Sequence, residues 1–160
     1  MNHPASDDEP VLEVPTASPA DTLALGRRLA GLLRRGDILL LVGPLGAGKT
    51  LLAGGIAEGL GVRERVSSPT FILARTYEGF LPVHHADVYR LGSLAEFDDL
   101  ELPALAEDGV LMVEWGNVVA SSIPESHLVV ELVIRAEEQR VIRFMRRGAW
   151  RRRSLEELVA

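Results

Sequence analysis

The sequence predicts an α/β fold, a three-layer sandwich in which helices cover both faces of a mixed, mainly parallel central sheet. Residues 38–42 (ILLLV) form a short apolar run bounded by turn residues, which is typical of a strand buried on both faces. Apolar residues at helical spacing precede and follow this run, as expected where a strand alternates with helices. The second half of the chain is rich in β-like stretches separated by turns, which predicts β-hairpins.

The first predicted element is a helix that begins near residue 18. Residues 1–17 are rich in Pro, Ser, Asp and Glu, and this composition predicts a disordered lead-in. Ser18, Pro19 and Asp21 then form a helix-start pattern, with a cap residue, a proline in the first turn and an acid three residues after the cap. Leucines at helical spacing follow, and Gly36 can end the helix.

A second helix is predicted directly after the glycine-rich residues 43–48. Leucine or isoleucine recurs at every fourth position from residue 52 to residue 60. Gly54 and Gly55 lie inside this helix, where each glycine costs about 1 kcal/mol relative to alanine. Close packing against another element would explain them.

The remaining elements are predicted mainly as strands. In chain order they are a hairpin formed by residues 71–77 and 83–89, a short acidic helix opened by the capping pattern 93–96, a buried strand at 110–115, and a closing hairpin formed by residues 128–135 and 140–144. Residues 18–145 are therefore predicted to form one domain, and residues 146–160 an arginine-rich C-terminal tail.

Composition excludes several classes of protein. The net charge of −6 argues against a surface that coats nucleic acid, although residues 139–153 carry seven arginines and no acid. There is no cysteine, which excludes disulfides, thiolate metal sites and a cysteine nucleophile. The longest aliphatic run is far shorter than the roughly 20 residues of a membrane helix, and the N-terminal residues have no apolar signal core. We therefore expect a cytoplasmic protein with no membrane contact.

One segment carries a strong functional signal. Only one of the 17 lysine and arginine residues is a lysine, Lys49, and it lies in GPLGAGKT, residues 43–50. This segment matches G-x-x-x-x-G-K-[ST] at every fixed position, and it lies between a predicted buried strand and a helix, as a phosphate-binding P-loop requires. The chain is therefore predicted to bind a nucleoside triphosphate.

The chemistry of this segment explains its residue types. Glycines let successive backbone N–H groups turn toward phosphate oxygens, and the N-terminus of the following helix favours anions. Lysine carries a compact ammonium that reaches between the β- and γ-phosphates, and the hydroxyl of Thr50 is offered to Mg²⁺. The residues expected to surround the phosphates are Gly43, Leu45, Gly46, Ala47, Gly48, Lys49, Thr50 and Leu51.

Two carboxylates are candidates to complete the site. A P-loop ATPase needs an acid at the end of a neighbouring buried strand to hold Mg²⁺, and a group that orients the attacking water. Glu114 ends the apolar run 110–113, where a buried carboxylate is otherwise costly, and Asp87 lies in the strand-like segment 85–89. The adjacent residues His84 and His85 point to opposite faces of a strand, so they are not expected to bind a metal together.

Four segments in the same order resemble the TsaE (YjeE) family of bacterial ATPases, which has a P-loop NTPase-like fold: GPLGAGKT, SSPTF (residues 67–71), HADVYRL (residues 85–91) and VEWGN (residues 113–117). The resemblance extends from about residue 25 to residue 140. Members of the family assist formation of the threonylcarbamoyl group on the adenosine beside the anticodon of certain tRNAs. The resemblance therefore implies ATP and Mg²⁺ as cofactors, TsaD and TsaB as partners, and ATP hydrolysis that resets the TsaD–TsaB complex.

The resemblance also implies roles for individual residues. It assigns Lys49 and Thr50 to phosphate and Mg²⁺. Beyond the loop it assigns Glu114 to the metal, Asp87 to the metal or the water, Thr70 to a switch-like loop on the γ-phosphate side, and Trp115 and Arg140 to the neighbourhood of the nucleotide. We expect tRNA to be reached indirectly or through the C-terminal arginines.

Two alternative functions share the same loop. A P-loop small-molecule kinase usually has an arginine-bearing lid, and the chain has none between the helix after the loop and Glu114. A nucleotide-gated binding subunit with incidental hydrolysis is the second alternative. A GTPase is disfavoured because the sequence has no N-K-x-D base-reading motif.

Overall fold

The fold is a seven-stranded sheet with helices on both faces, seen in a computed structural model that describes residues 12–69 and 73–159. Within these ranges no helix is long and apolar enough to cross a membrane. The helices are α1 (Pro19–Ala30), α2 (Lys49–Gly59) and α3 (Leu94–Leu100). The strands are β1 (Leu12–Thr16), β2 (Ile38–Val42), β3 (Ala74–Glu78), β4 (Pro82–Asp87), β5 (Val110–Glu114), β6 (His127–Ile134) and β7 (Arg140–Arg147).

The sheet has parallel strands in its centre and antiparallel pairs at both sides. The strand order is β1-β7-β6-β2-β5-β4-β3. Strands β6, β2, β5 and β4 are parallel to one another, whereas the β3–β4, β6–β7 and β1–β7 pairs are antiparallel. This arrangement confirms the predicted mixed α/β sandwich, including both hairpins. The carboxyl end of β2 lies in the middle of the sheet, where open α/β sheets bind their ligands.

Strand β2 is apolar throughout, and β5 is apolar up to Glu114, because both faces of these strands are buried. In β5, Val110 and Met112 pack in the cluster that includes α1 and α2. Leu111 and Val113 pack instead with Phe97 of α3 on the opposite face. This two-sided burial accounts for continuous apolar runs in place of an alternating pattern.

Helix α1 begins where the sequence predicts. The Ser18 hydroxyl accepts a hydrogen bond from the backbone N–H of Asp21 at 3.2 Å, and the Asp21 carboxylate accepts one from the N–H of Ala17 at 3.0 Å. The pair resembles a capping box, with the acid bonded to the N–H of the residue before the cap in place of that of the cap itself. The helix ends at Ala30, whereas Gly36 lies in the turn before β2 with a φ of 97°.

Close packing between α1 and α2 explains one of the two glycines inside α2. A Cβ on Gly55 would lie 2.4 Å from the carbonyl oxygen of Leu23 and 3.2 Å from the Cα of Gly26, so only glycine fits this crossing. A Cβ on Gly54 would meet no heavy atom within 4 Å outside its own stretch of helix. The predicted packing reason therefore holds for Gly55 and not for Gly54.

This difference gives a matched pair of variants. We expect Gly55→Ala to lower the free energy of unfolding by about 1–3 kcal/mol, because the added methyl group must push the helices apart. We expect Gly54→Ala to raise the free energy of unfolding by up to about 1 kcal/mol, since alanine is the better helix former. Urea unfolding of both variants checks this, and equal destabilisation by the two would contradict it.

The prediction of a disordered lead-in over residues 1–17 is wrong for residues 12–16. These residues form β1, which pairs with β7 from Leu12 opposite Phe144 to Thr16 opposite Arg140. Val14 is buried in the core, and Pro15 is tolerated because β1 is an edge strand, where a missing N–H breaks no necessary bond. Residues 1–11 lie outside the described residues.

The expected C-terminal tail is also part of the folded unit. Strand β7 continues to Arg147, and the side chains of Trp150, Leu155 and Leu158 are buried in the core cluster that includes α1 and α2. The Arg153 guanidinium donates to the Asp37 carboxylate at 2.7 Å and lies over the Trp150 ring. The boundary predicted between residues 145 and 146 therefore does not separate a domain from a tail.

Candidate functional site

The glycine-rich residues 43–48 turn the chain from the end of β2 into the start of α2. Gly43 has a φ of 154°, and a Cβ there would lie 2.7 Å from the carbonyl oxygen of Leu132. Gly48 is the N-cap of α2 and has a φ of 103°, a left-handed conformation that glycine adopts without strain. The turn brings the loop next to the N-terminus of α2, whose first N–H groups have no partner within the helix and attract anions.

The only lysine of the chain points back over this loop. The Lys49 ammonium donates to the carbonyl oxygens of Gly43 at 2.7 Å and Pro44 at 3.0 Å, and it lies 4.0 Å from the centroid of the Trp115 ring. Burial lowers the pKa of the Lys49 ammonium, while the negative charges of Glu114 and Asp87 act to raise it. A cation is therefore held at the centre of the loop by carbonyls, a ring face and two acids.

A hydrogen bond joins the threonine of the loop to the acid at the end of β5. The Thr50 hydroxyl donates to the Glu114 carboxylate, with 3.0 Å to each of its oxygens. Glu114 is 3% exposed, and its position opposite Leu41 in the parallel β2–β5 pair places it beside the loop. Because the hydroxyl proton is used in this bond, the lone pairs of the Thr50 oxygen remain for a cation.

Asp87 lies next to Glu114 at the same edge of the sheet. The two residues are register partners in the parallel β4–β5 pair, so both carboxylates follow neighbouring strands. Asp87 accepts a hydrogen bond from the N–H of Tyr89 at 2.9 Å and a longer one from the Ser68 hydroxyl at 3.4 Å. It is 7% exposed, and it lines the cleft described below.

A buried histidine, His85, contacts the carboxylate of Glu114. The Nε2 atom of His85 lies 2.5 Å from Oε2 of Glu114, and the His85 side chain is fully buried. Its Nδ1 atom has no hydrogen-bond partner among the residues that the structure describes. His84 points elsewhere and contacts Thr76 and Asp108. Sequence reasoning missed the role of His85, although its spacing of two from Asp87 places both side chains on one face of β4.

These side chains surround a cleft of about 560 Å³, a size typical of small-molecule sites. Its rim carries two exposed apolar side chains, Leu45 at 86% and Tyr89 at 62% exposure. The Tyr89 ring lies 4.8 Å from the ring of Trp115, whose backbone is left-handed with a φ of 63°. The lining comprises Leu45, Gly46, Gly48, Lys49, Thr50, Leu51, Ser68, Asp87, Tyr89, Arg90, Glu114 and Trp115.

Most of the residues predicted for the site are thus brought together. Gly43 and Ala47 lie in the loop without lining the cleft, and Arg140 reaches the loop from its outer side. Thr70 lies outside the described residues. The lining also contains Ser68, Tyr89 and Arg90, which were not predicted although all three lie in the motif segments 67–71 and 85–91.

The oxygen donors of the site fit Mg²⁺. Magnesium prefers hard oxygen ligands and is usually bound by one or two carboxylates together with water and substrate phosphates. Thr50 and Glu114 supply such donors side by side, and Asp87 supplies another on the adjacent strand. Across residues 12–69 and 73–159, no three or more His, Cys, Asp or Glu side chains are grouped so that they could hold a metal ion.

The fold and the site together define a class. A phosphate-binding loop follows the central parallel strand, and a carboxylate from the neighbouring strand holds the threonine of that loop, which is the arrangement of P-loop NTPases.

Comparison with known proteins identifies the family. The family model described as threonylcarbamoyl adenosine biosynthesis protein TsaE matches residues 16–142, and the chain belongs to this family. Proteins named tRNA threonylcarbamoyladenosine biosynthesis protein TsaE include one from Streptomyces coelicolor that is 50% identical over 108 residues, 65% of this chain and 73% of that protein. One from Treponema pallidum is 41% identical over 126 residues, 78% of this chain and 93% of that protein. The crystal structure of YdiB from Bacillus subtilis has a TM-score of 0.76 and 34% identity, and the match covers 92% of this chain and 93% of that one.

Proposed function

We propose that this chain binds ATP with Mg²⁺ and hydrolyses it in support of the threonylcarbamoyl modification of the adenosine next to the anticodon of tRNA. The observation that carries the chemical part is the meeting of Lys49, Thr50, Glu114 and Asp87 in one cleft at the end of the central strands. Membership of the TsaE family supports the pathway.

Lys49 and the loop bind the triphosphate. Phosphate oxygens compete with the carbonyls of Gly43 and Pro44 for the Lys49 ammonium, and a multiply charged phosphate is the stronger acceptor. Lys49 then neutralises charge that develops on the transferred phosphoryl group. The Trp115 ring, which already contacts the ammonium, shields this side of the cleft from water.

Thr50 and Glu114 would hold the metal ion, and His85 fixes one oxygen of the Glu114 carboxylate. When bound, Mg²⁺ would neutralise negative charge on the triphosphate. We assign Asp87 to the attacking water, because it faces the cleft and the Thr50 hydroxyl is bonded to Glu114 instead.

The hydrolysis is activated by the partner proteins TsaD and TsaB and resets their complex between turnovers. Two features support a requirement for a partner. The apolar side chains of Leu45 and Tyr89 are exposed at the rim of the cleft, as expected of a surface that another protein covers. Arg140, which the resemblance assigns to the neighbourhood of the nucleotide, has its guanidinium on backbone carbonyls of the chain and does not line the cleft.

Direct contact with tRNA is confined to the exposed arginines of the last turns. Arg151 and Arg152 are exposed at the surface. We expect Arg151→Gln combined with Arg152→Gln to lower the salt dependence of tRNA binding by about two phosphate contacts. Filter binding at several salt concentrations measures this. An unchanged salt slope would mean that tRNA is reached only through the partners.

The decisive experiment is ATP hydrolysis by the purified chain, alone and with its TsaD–TsaB pair. We expect slow turnover alone and at least about tenfold stimulation by the pair. Stimulation without any effect of the pair on nucleotide affinity would still support the proposal. Absence of both stimulation and physical binding would remove the pathway and leave the nucleotide site.

A further inference from the structure

Arg140 at the start of β7 holds the outer side of the phosphate-binding loop. Its Nε atom donates to the carbonyl oxygen of Ala47 at 3.1 Å, and its Nη2 atom donates to that of Gly46 at 3.3 Å. Both acceptors are main-chain atoms of the loop, so these two hydrogen bonds depend on the backbone conformation of the loop and not on any side chain.

The same guanidinium is anchored on the turn between β6 and β7. Its Nη1 atom lies within hydrogen-bond distance of the carbonyl oxygens of Ala136 at 2.9 Å, Gln139 at 3.0 Å and Glu137 at 3.1 Å. Five carbonyls thus surround one planar cation, and all three of its nitrogens are engaged. The loop is thereby tied to a hairpin whose strand β6 lies next to β2.

The loop carbonyls are divided between two cations. Lys49 holds those of Gly43 and Pro44, and Arg140 holds those of Gly46 and Ala47. In a trans peptide the carbonyl and the following N–H point in opposite directions. Holding the Ala47 carbonyl outward therefore turns the N–H of Gly48 away from Arg140, and Gly48 lines the cleft.

We propose that Arg140 is a positioning residue that keeps the loop in its anion-binding conformation when Lys49 leaves the loop carbonyls for phosphate. This inference rests on the proposed nucleotide binding, and it replaces a direct contact of Arg140 with the nucleotide by a contact with the loop. Lysine cannot substitute for arginine here, because a single ammonium does not span acceptors on two separate segments.

Amide hydrogen exchange of the nucleotide-free protein tests the proposal. We expect Arg140→Ala and Arg140→Lys each to speed exchange of the Ala47 and Leu52 amides by at least about tenfold, since two charge-assisted bonds to the loop are lost. These amides donate to the carbonyl oxygens of Pro44 and Gly48, so their protection reports on the conformation of the loop. Arg143→Ala is the matched control. It removes the same charge from the same strand, but Arg143 pairs with Glu13 and Glu131 and does not contact the loop.

Affinity for ADP and for a non-hydrolysable ATP analogue separates the two possible roles. If Arg140 positions the loop, both variants weaken both nucleotides by a similar factor. Unchanged exchange together with affinity restored by Arg140→Lys would overturn the proposal in favour of a direct contact with phosphate. Unchanged exchange and affinity in both variants would also overturn it. The exchange measurement needs no nucleotide, so it decides the role of Arg140 even if the wild-type chain fails to bind ATP.

Discussion

Replacement of Lys49 by alanine is expected to abolish ATP hydrolysis, with a loss of about 100-fold or more both alone and with the partner pair. The buried ammonium lies on the loop carbonyls, where it can stabilise a transition state that gathers negative charge on phosphate. ATP affinity is expected to fall about tenfold or more, because a charge-assisted contact is removed.

The variant Lys49→Arg shows whether hydrolysis needs only a positive charge at position 49 or also the compact shape of the ammonium. It keeps the positive charge, but a planar guanidinium does not fit between Gly43, Pro44 and the Trp115 ring as a compact ammonium does. We expect hydrolysis by Lys49→Arg to stay close to that of Lys49→Ala. Steady-state phosphate release measures both variants, with thermal unfolding as a check that each is folded. Wild-type turnover in Lys49→Ala would remove the assigned role of the loop.

Local signals account for the parts of the fold that the sequence predicts. The cap of α1, the buried run of β2 and the β3–β4 hairpin each depend on residues close together in the chain, so their patterns are readable without knowledge of the partners. Strand β1 was missed because it exists through pairing with β7 at the far end of the chain, and its own residues include Pro15 and no long apolar run.

The site was predictable where parallel strands bring their carboxyl ends together. Asp87 and Glu114 are each the last residue of a strand, and the pairing of those two strands places them side by side. The role of His85 depends on its contact with Glu114 on the neighbouring strand, whereas the sequence shows only that His85 and Asp87 share one face of β4. The packing of the C-terminal turns likewise depends on where Trp150 and Leu158 meet the core.

Neutralising Glu114 and neutralising Asp87 are expected to change different properties, the first the effect of Mg²⁺ on nucleotide affinity and the second the rate of turnover. Glu114→Gln keeps an oxygen that accepts from the Thr50 hydroxyl but removes the charge that holds Mg²⁺, so the gain in nucleotide affinity on adding Mg²⁺ is expected to disappear. Asp87→Asn leaves the Thr50–Glu114 pair intact, so the effect of Mg²⁺ on affinity is expected to persist while turnover falls about 100-fold.

Titration of a fluorescent ATP analogue with and without Mg²⁺, followed by phosphate release, separates these outcomes. If Mg²⁺ no longer raises nucleotide affinity in Asp87→Asn but still does so in Glu114→Gln, the assignments are reversed. Asp87 would then hold the metal, and Glu114 would orient the water. The Asp87→Asn variant also tests the nucleotide-gated alternative. If hydrolysis is incidental, a chain that carries Asp87→Asn would still support tRNA modification. Loss of modification in this variant would show that hydrolysis itself is required, because its Mg²⁺-dependent binding of ATP is unchanged.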